Sequence, residues 1–437
     1  MATTTVPVPA GPAHVAVVSF LAARAAPTGG FWIALAGGVA LARVAERRGA
    51  RSGFGASVAA MLETVAIIGP ARFGIPLTQA ISAPMLGRLE ARRIGFALQL
   101  LACATVRLLH NGATTAFFIW IVTGGLDAYA GTYDALGRRL GVDIGTADAL
   151  VLTGAGLLAW AAFASTVQVL VYRRGLRGWE DGARGSAADP DGPEAPAPGP
   201  RPGRAERESG APGPRTGPAE RGSEGPDGGR RGRFDPRAVA VASTIAFGLL
   251  LSSTEWPVLV AVGVWLALAW ALSRPDAAPV PTGLAFAAIL ASGAFLFSLG
   301  GGLGLDVALR RALRVSLLVL TATWLRAAAR AEGLREVFRR SLGRLRRLPS
   351  VPEASQVLDR IASDGRLMAA ARRLTAALAV VRKRPLPVLD AVLAWVAREA
   401  AVFRAGPPRP PSAALRAHPG DWALVVLAAA PAAALAY

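Results

Sequence analysis

A carboxylate inside a stretch built for lipid is the first residue that could do chemistry. Glu63 stands in the run Ala59-Ala60-Met61-Leu62-Glu63-Thr64-Val65. A charge at the centre of a bilayer span costs on the order of 2.5–3.5 kcal/mol on insertion scales, so one that is present either serves a ligand or is paired. Gln79, Arg107, His110 and Asn111 are polar residues of the neighbouring apolar runs. With Glu63 they could share one cavity and bind a small solute or ion. The competing reading is a buried pair, with Arg72 or Arg107, that fixes helix packing. Asp127 and Asp134 lie seven residues apart with Tyr129 and Tyr133 between them. On a helix both carboxylates share a face and could meet a cation at an outer mouth, although the spacing also suits a solvated interfacial helix with aromatic anchors.

Other chemistries have little to stand on. Cys103 is the single cysteine, which leaves no intrachain disulfide and no thiolate metal site. His14, His110 and His418 are far apart and none sits in a metal-ligand spacing. The glycines Gly300, Gly301, Gly302 and Gly304 precede no GK[ST] and follow no strand, so they read as a turn between spans rather than a phosphate loop. We expect no catalytic residue, no cofactor and no metal centre, and any ATP hydrolysis would reside in separate subunits.

The elements that must position these residues are helices in lipid. Of the 437 residues 53% are hydrophobic and 18% charged, against about 45–50% and about 25% in soluble domains. The N-terminus shows no cleavable signal, because residues 1–12 carry no positive charge before the first apolar run. The pattern predicts an all-α, polytopic integral membrane protein with about eleven spans. Six fall near 13–27, 30–44, 53–69, 72–87, 94–124 and 149–171, with His110-Asn111-Gly112 marking a break in the fifth. Five more fall near 237–253, 256–273, 280–299, 305–325 and 420–437. Between the two sets, about 173–233 is rich in Pro, Gly, Ala, Arg and Glu and reads as a disordered linker.

Charge distribution orients the spans. Arginines cluster after the second span (Arg43, Arg47, Arg48, Arg51), after the fourth (Arg88, Arg92, Arg93) and after the sixth (Arg173, Arg174, Arg177). By the positive-inside rule this places the N-terminus and the linker in the cytoplasm, with the C-terminus outside. The formal charge of +19 is concentrated late: residues 305–404 hold 20 basic and 8 acidic residues. There Leu334, Val337, Phe338, Leu342 and Leu345 keep helical spacing among Arg335, Arg339, Arg340, Arg344, Arg346 and Arg347, the pattern of an amphipathic helix too charged to cross. Such a face suits a solvated surface, anionic lipid or a partner's groove. Nucleic acid is disfavoured, because the basic stretch lies between spans and lacks interleaved aromatics.

The second half, about 234–437, resembles the transmembrane T-component of energy-coupling factor (ECF) transporters, the CbiQ/EcfT family. Asp235-Pro236-Arg237 matches the tripeptide that opens that family before its first span. Ala312-Leu313-Arg314 matches its late arginine pattern, Leu348-Pro349-Ser350-Val351-Pro352-Glu353 its proline-containing stretch, and a final span closes the module. The resemblance implies cytoplasmic coupling helices at about 331–406 that dock paired ABC-type ATPases. Where the family carries two Ala-Arg-Gly signatures, this chain has Asp364-Gly365-Arg366 and Arg404-Ala405-Gly406. By order, Arg366 and Arg404, with Arg339 and Arg340, are the expected ATPase-coupling residues, and Asp235, Pro236, Arg237 and Arg314 the structural ones. The six-span module 1–172 has the span number of the family's substrate-binding S-components. The function implied is coupling in a plasma-membrane importer of a small nutrient, metal ion or vitamin. The alternative is a non-transport scaffold of the same fold that binds another cytoplasmic partner.

Overall fold

The structure is a computed structural model and describes residues 9–25, 30–70, 76–139, 141–187, 234–273, 275–361, 363–379, 381, 384–403, 405 and 418–433. Of these residues 87% are helical and none is in a strand. The N-terminal part holds α1 (Ala10–Ala25), α2 (Gly30–Arg48), α3 (Ala50–Ile68), α4 (Pro76–Ala91), α5 (Phe96–Phe117), α6 (Leu126–Arg139) and α7 (Thr146–Ala187). A π-helical segment, Phe118–Thr123, follows α5 directly. After the linker come α8 (Pro236–Ser252), α9 (Trp256–Ser273), α10 (Val280–Gly300) and α11 (Leu305–Arg344). The chain then forms α12 (Val351–Leu358), α13 (Asp364–Ala379), α14 (Pro385–Val402) and α15 (Pro419–Ala433).

Among the described residues, α3, α7, α9, α10 and α11 are long and apolar enough to cross a membrane, and α8 and α15 are apolar but shorter. Length and composition thus support a helical membrane-spanning protein. They support five of the eleven expected spans outright. The others fall short for visible reasons: α1 and α4 have 16 residues each, α2 ends in Arg47 and Arg48, and α5 carries Arg107, His110 and Asn111. Large apolar side chains left bare on the surface, such as Leu101, Leu109, Trp160, Ile289 and Leu296, sit on α5, α7 and α10. A lipid-facing belt is the environment in which such surface is stable.

Three expected boundaries move. The fifth N-terminal helix does not break at His110-Asn111-Gly112; α5 runs through them, and the irregularity lies further on in Phe118–Thr123. Where water does not compete for the backbone, Asn and Gly are tolerated inside a helix. Of the segment expected as a linker, 173–187 belongs to α7, which continues to Ala187, and 188–233 lies outside the described residues. The fourth span of the second half and the first charged helix are joined as α11, with the backbone breaking from helical geometry at Arg330 (φ 57°, ψ 169°).

Packing divides the molecule into two cores, and the division does not follow the chain. One core joins α8, α9, α11 and α15 through Leu250, Leu259, Trp265, Trp324 and Leu424. Trp265 and Trp324 meet edge-on with centroids 5.4 Å apart, and their indoles donate to Leu424 O (3.3 Å) and Ser273 Oγ (3.1 Å). The other core mixes α1–α4 with the charged helices α12–α14. Helix α1 is its centre: Val15, Ala16, Val17, Val18 and Phe20 are all fully buried. Leu358, Leu367 and Leu374 close on it from α12 and α13, each worth about 1.5–3 kcal/mol when fully buried. The amphipathic helices of the second half therefore complete the core of the first.

At the start of α8, Asp235 caps the helix by accepting from Arg237 N (2.8 Å), with Pro236 in the first turn. Asp235 N in turn donates to Asp421 Oδ1 (2.8 Å), so α8 and α15 begin side by side and run in the same direction. The Asp235 side chain is buried, which works against its charge, but hydrogen bonds and charge from Arg237, with Arg340 nearby, hold its carboxyl below the ordinary aspartate range. A lowered folded pKa contributes stability above the unfolded value, about 3.9, that is lost as pH falls through the folded one. Asp235→Ala should cost about 0.5–2 kcal/mol at pH 7. Thermal unfolding of both proteins in one detergent checks this; a midpoint gap that fails to shrink below about pH 4 would contradict the assignment.

Candidate functional site

Glu63 is the most deeply buried charge, at 0% exposure. Of the two partners expected for it, Arg72 lies outside the described residues and Arg107 bonds Gln168 instead. Arg335 of α11 grips it with both arms of the guanidinium, Nε to Oε2 at 2.7 Å and Nη2 to Oε1 at 2.5 Å. Arg335 also pairs with Asp364 at the start of α13. Three helices distant in sequence are thereby pinned at one point where the two halves meet. Just above, Arg326 Nε donates to Ile67 O (2.8 Å) and supplies a partner to the end of α3. The α11 turn beyond Arg330 is thus attached to the N-terminal helices on its α3 side. The pair is bidentate and charge-assisted, the strongest form of such a contact.

Arg107 belongs to a second, separate network. Its Nη2 donates to Gln168 Oε1 (2.6 Å), which also receives Cys103 Sγ (3.3 Å), while Gln168 Nε2 donates to Ser82 Oγ (2.6 Å). Gln79 lies one turn before Ser82 and accepts from Thr78 Oγ1 (2.9 Å). These contacts tie α4, α5 and α7 together. His110 and Asn111 are half-buried one turn further along α5. The five expected solute-binding residues thus fall in different contacts: Glu63 pairs with Arg335, Arg107 bonds Gln168, Gln79 accepts from Thr78, and His110 and Asn111 are half-buried one turn beyond Arg107.

A third polar cluster lies at the C-terminal end of α8, the far end from its Asp235 cap. Arg314, buried, donates to the backbone carbonyls of Leu250 and Leu251 (2.7 Å to the latter) and reaches Ile121 O in the π-helical segment (3.3 Å). It supplies the orphan carbonyls that end α8 and links them to the N-terminal half. It does not snorkel. Arg310 stays nearer the surface, paired with Asp306 and Glu255.

Beside this cluster is a cavity of about 690 Å³ walled by α5, the π-helical segment, α6, α7 and the end of α10. Phe118 and Phe297 meet edge-on in its wall, centroids 6.0 Å apart. Tyr129 and Tyr133 stack edge-on at 5.2 Å, and Tyr129 OH lies 2.7 Å from Thr153 Oγ1. The spacing of Asp127 and Asp134 admitted either a cation mouth or a solvated interfacial helix with aromatic anchors. Asp134 pairs with Arg138 and Asp127 is exposed, while the tyrosines between them line the cavity. Among the described residues no group of three or more His, Cys, Asp or Glu side chains could hold a metal ion.

Of the expected coupling residues, Arg366 is exposed on α13. Arg339 is held by Asp359 (2.8 Å) and Glu336 (3.3 Å), and Arg340 by Glu336 (2.7 Å). Arg404 lies outside the described residues. Compared with known protein families, curated proteins and solved structures, the chain matches none. Sequence reasoning missed the roles of Arg335 and Arg326, since each stands among other arginines and no local pattern sets it apart.

Proposed function

We propose that this protein is the transmembrane scaffold and coupling component of an ECF-type importer for a small nutrient. In that reading the second half is a T-component and residues 1–172 are a membrane substrate-binding module, about eleven crossings in all, in the plasma membrane with the linker in the cytoplasm. Separate ABC-type ATPase subunits dock α12–α14 and move them. The observation that supports this best is the shared core, in which α12–α14 are built into α1–α4. Motion of the charged helices cannot leave the N-terminal module unmoved, and Glu63–Arg335–Asp364 is the stiffest point of that connection.

A second reading is a scaffold of the same fold that serves another cytoplasmic partner. What favours it is Asp364: where the resemblance would put an alanine, this residue is turned inward to Arg335, and Arg339 and Arg340 are paired within the chain. The tagged full chain, purified from its host in mild detergent, separates the two. Stoichiometric recovery of one or two ABC-type ATPases, lost in Arg366→Glu/Arg404→Glu while the chain stays monodisperse, is the importer result. An intact chain recovered without any ATPase favours the scaffold.

A further inference from the structure

The cavity at the far end has a hydrogen-bonding polarity that constrains what can fill it. Thr153 donates to Ala149 O one turn back in its helix (2.8 Å). Its oxygen is then an acceptor, so the Tyr129 hydroxyl must be the donor of the 2.7 Å bond between them. Tyr129 in turn accepts from Tyr133 OH at 3.2 Å. The relay Tyr133 to Tyr129 to Thr153 to Ala149 O uses every proton it has and leaves lone pairs facing the cavity. Thr114 and Thr132 are likewise turned back, donating to His110 O (2.8 Å) and Ala128 O (3.1 Å). Among the described residues the lining holds no charged side chain, and four aromatic rings supply most of the rest of the wall.

We propose that this cavity is a binding site for an uncharged, ring-bearing small molecule whose own hydroxyl or N–H groups donate to the lone pairs of Tyr133, Tyr129 and the threonines. The volume is in the range that takes a drug-sized solute. Among the described lining residues a carboxylate or phosphate finds no cation, and of the lining hydroxyls only that of Thr115 keeps a proton not already turned to a partner. Burying an anion without partners is strongly unfavourable. Because Phe118 and the tyrosines come from one half of the chain and Phe297 and Gly300 from the other, an occupant touches both halves at once. The site rests on the importer reading only in naming this solute as cargo; the binding itself needs no ATPase.

The test uses the purified full chain in lipid nanodiscs with three probes of matched ring: 2-phenylethanol, its methyl ether, and phenylacetate, followed by saturation-transfer NMR. Gly300→Leu is the blocking variant. A Cβ at Gly300 meets no atom within 4 Å, so the side chain can grow into the cavity without disturbing the backbone. The alcohol should bind saturably, about three- to tenfold tighter than the ether, with phenylacetate weakest, and Gly300→Leu should abolish the saturable signal. Tyr133→Phe, which keeps the ring and removes the end of the relay, should weaken the alcohol while leaving the ether unchanged. Phenylacetate binding as tightly as the alcohol overturns the proposal, as does a signal that survives Gly300→Leu or the absence of saturable binding by every probe. Recovery of ATPases in the co-purification with any of those results would sink this site and leave the importer reading standing.

Discussion

Arg335→Met should destabilise the protein by about 3–5 kcal/mol, more than Glu63→Met at the same contact. The asymmetry comes from what each change leaves behind. Removing Arg335 strands Glu63, which is wholly buried and whose two oxygens are both held by that guanidinium. Removing Glu63 leaves Arg335 its second partner, Asp364, whose side chain is 38% exposed and partly solvated. The cost should then be nearer the about 1–3 kcal/mol of an unsatisfied buried group. The double variant Glu63→Met/Arg335→Met replaces an ion pair by apolar chains of similar length and should be milder than Arg335→Met alone, because neither charge is left unpaired. Denaturant titration of all three variants in one micelle gives the order. Additive effects of the two single changes would show that Glu63 and Arg335 act independently, and would remove the pair as the connection between α3 and α11. In the importer reading the double variant carries a further expectation: ATPase subunits still co-purify, but solute uptake falls, since docking is intact and the stiff connection is gone.

How far this arrangement was legible before the structure depends on what kind of information each part needs. Glu63 announces itself, because a carboxylate in an apolar run demands an explanation. Its partner does not, since Arg335 is 272 positions away and lies in a run of arginines of which any could have answered. The same holds for Arg314. Its burial could not be chosen over snorkelling from spacing alone; the choice depends on the end of α8 arriving beside it. Helix α1 shows a different limit. A run of Ala, Val and Phe that is apolar on every side fits either a lipid span or the centre of a core, and nothing local separates them. Much of its burial in the structure comes from apolar residues of α12–α14, a fact carried by residues more than 300 positions later. Helix existence was readable almost throughout. The break at His110-Asn111-Gly112 was misplaced because Asn and Gly each weaken a helix by at most about 1 kcal/mol, too little to end one whose neighbours on both sides are helical. Phe118–Thr123, wholly apolar but for Thr123, carries no local mark of its π geometry.

Gly87→Ala should prevent normal assembly of the N-terminal helices, whereas Gly112→Ala should be neutral or stabilising by up to about 1 kcal/mol. Both glycines lie inside helices, so propensity alone favours alanine at each. Their surroundings reverse the result at one of them. A Cβ on Gly87 would stand 1.9 Å from the carbonyl oxygen of Ala42 and 2.6 Å from its carbon, and ordinary contact begins only at 3.4 Å. Those atoms are backbone of α2, within its buried stretch from Ile33 to Ala45, so no side chain can swing aside. Helix α4 must back away, and the displacement passes to what α4 carries: Ser82, 2.6 Å from Gln168, and through Gln168 the Arg107 contact with α5. Overpacking of this kind usually costs about 1–3 kcal/mol, and more when the obstacle is backbone. Around Gly112 a Cβ meets nothing within 4 Å. Size-exclusion profiles and thermal midpoints of the two variants, expressed side by side, read the difference directly. A well-behaved Gly87→Ala protein would mean that α2 and α4 do not approach this closely, and the polar network across α4, α5 and α7 would then need another geometry. A damaged Gly112→Ala protein would mean that α5 does require flexibility at the position where sequence alone put its break.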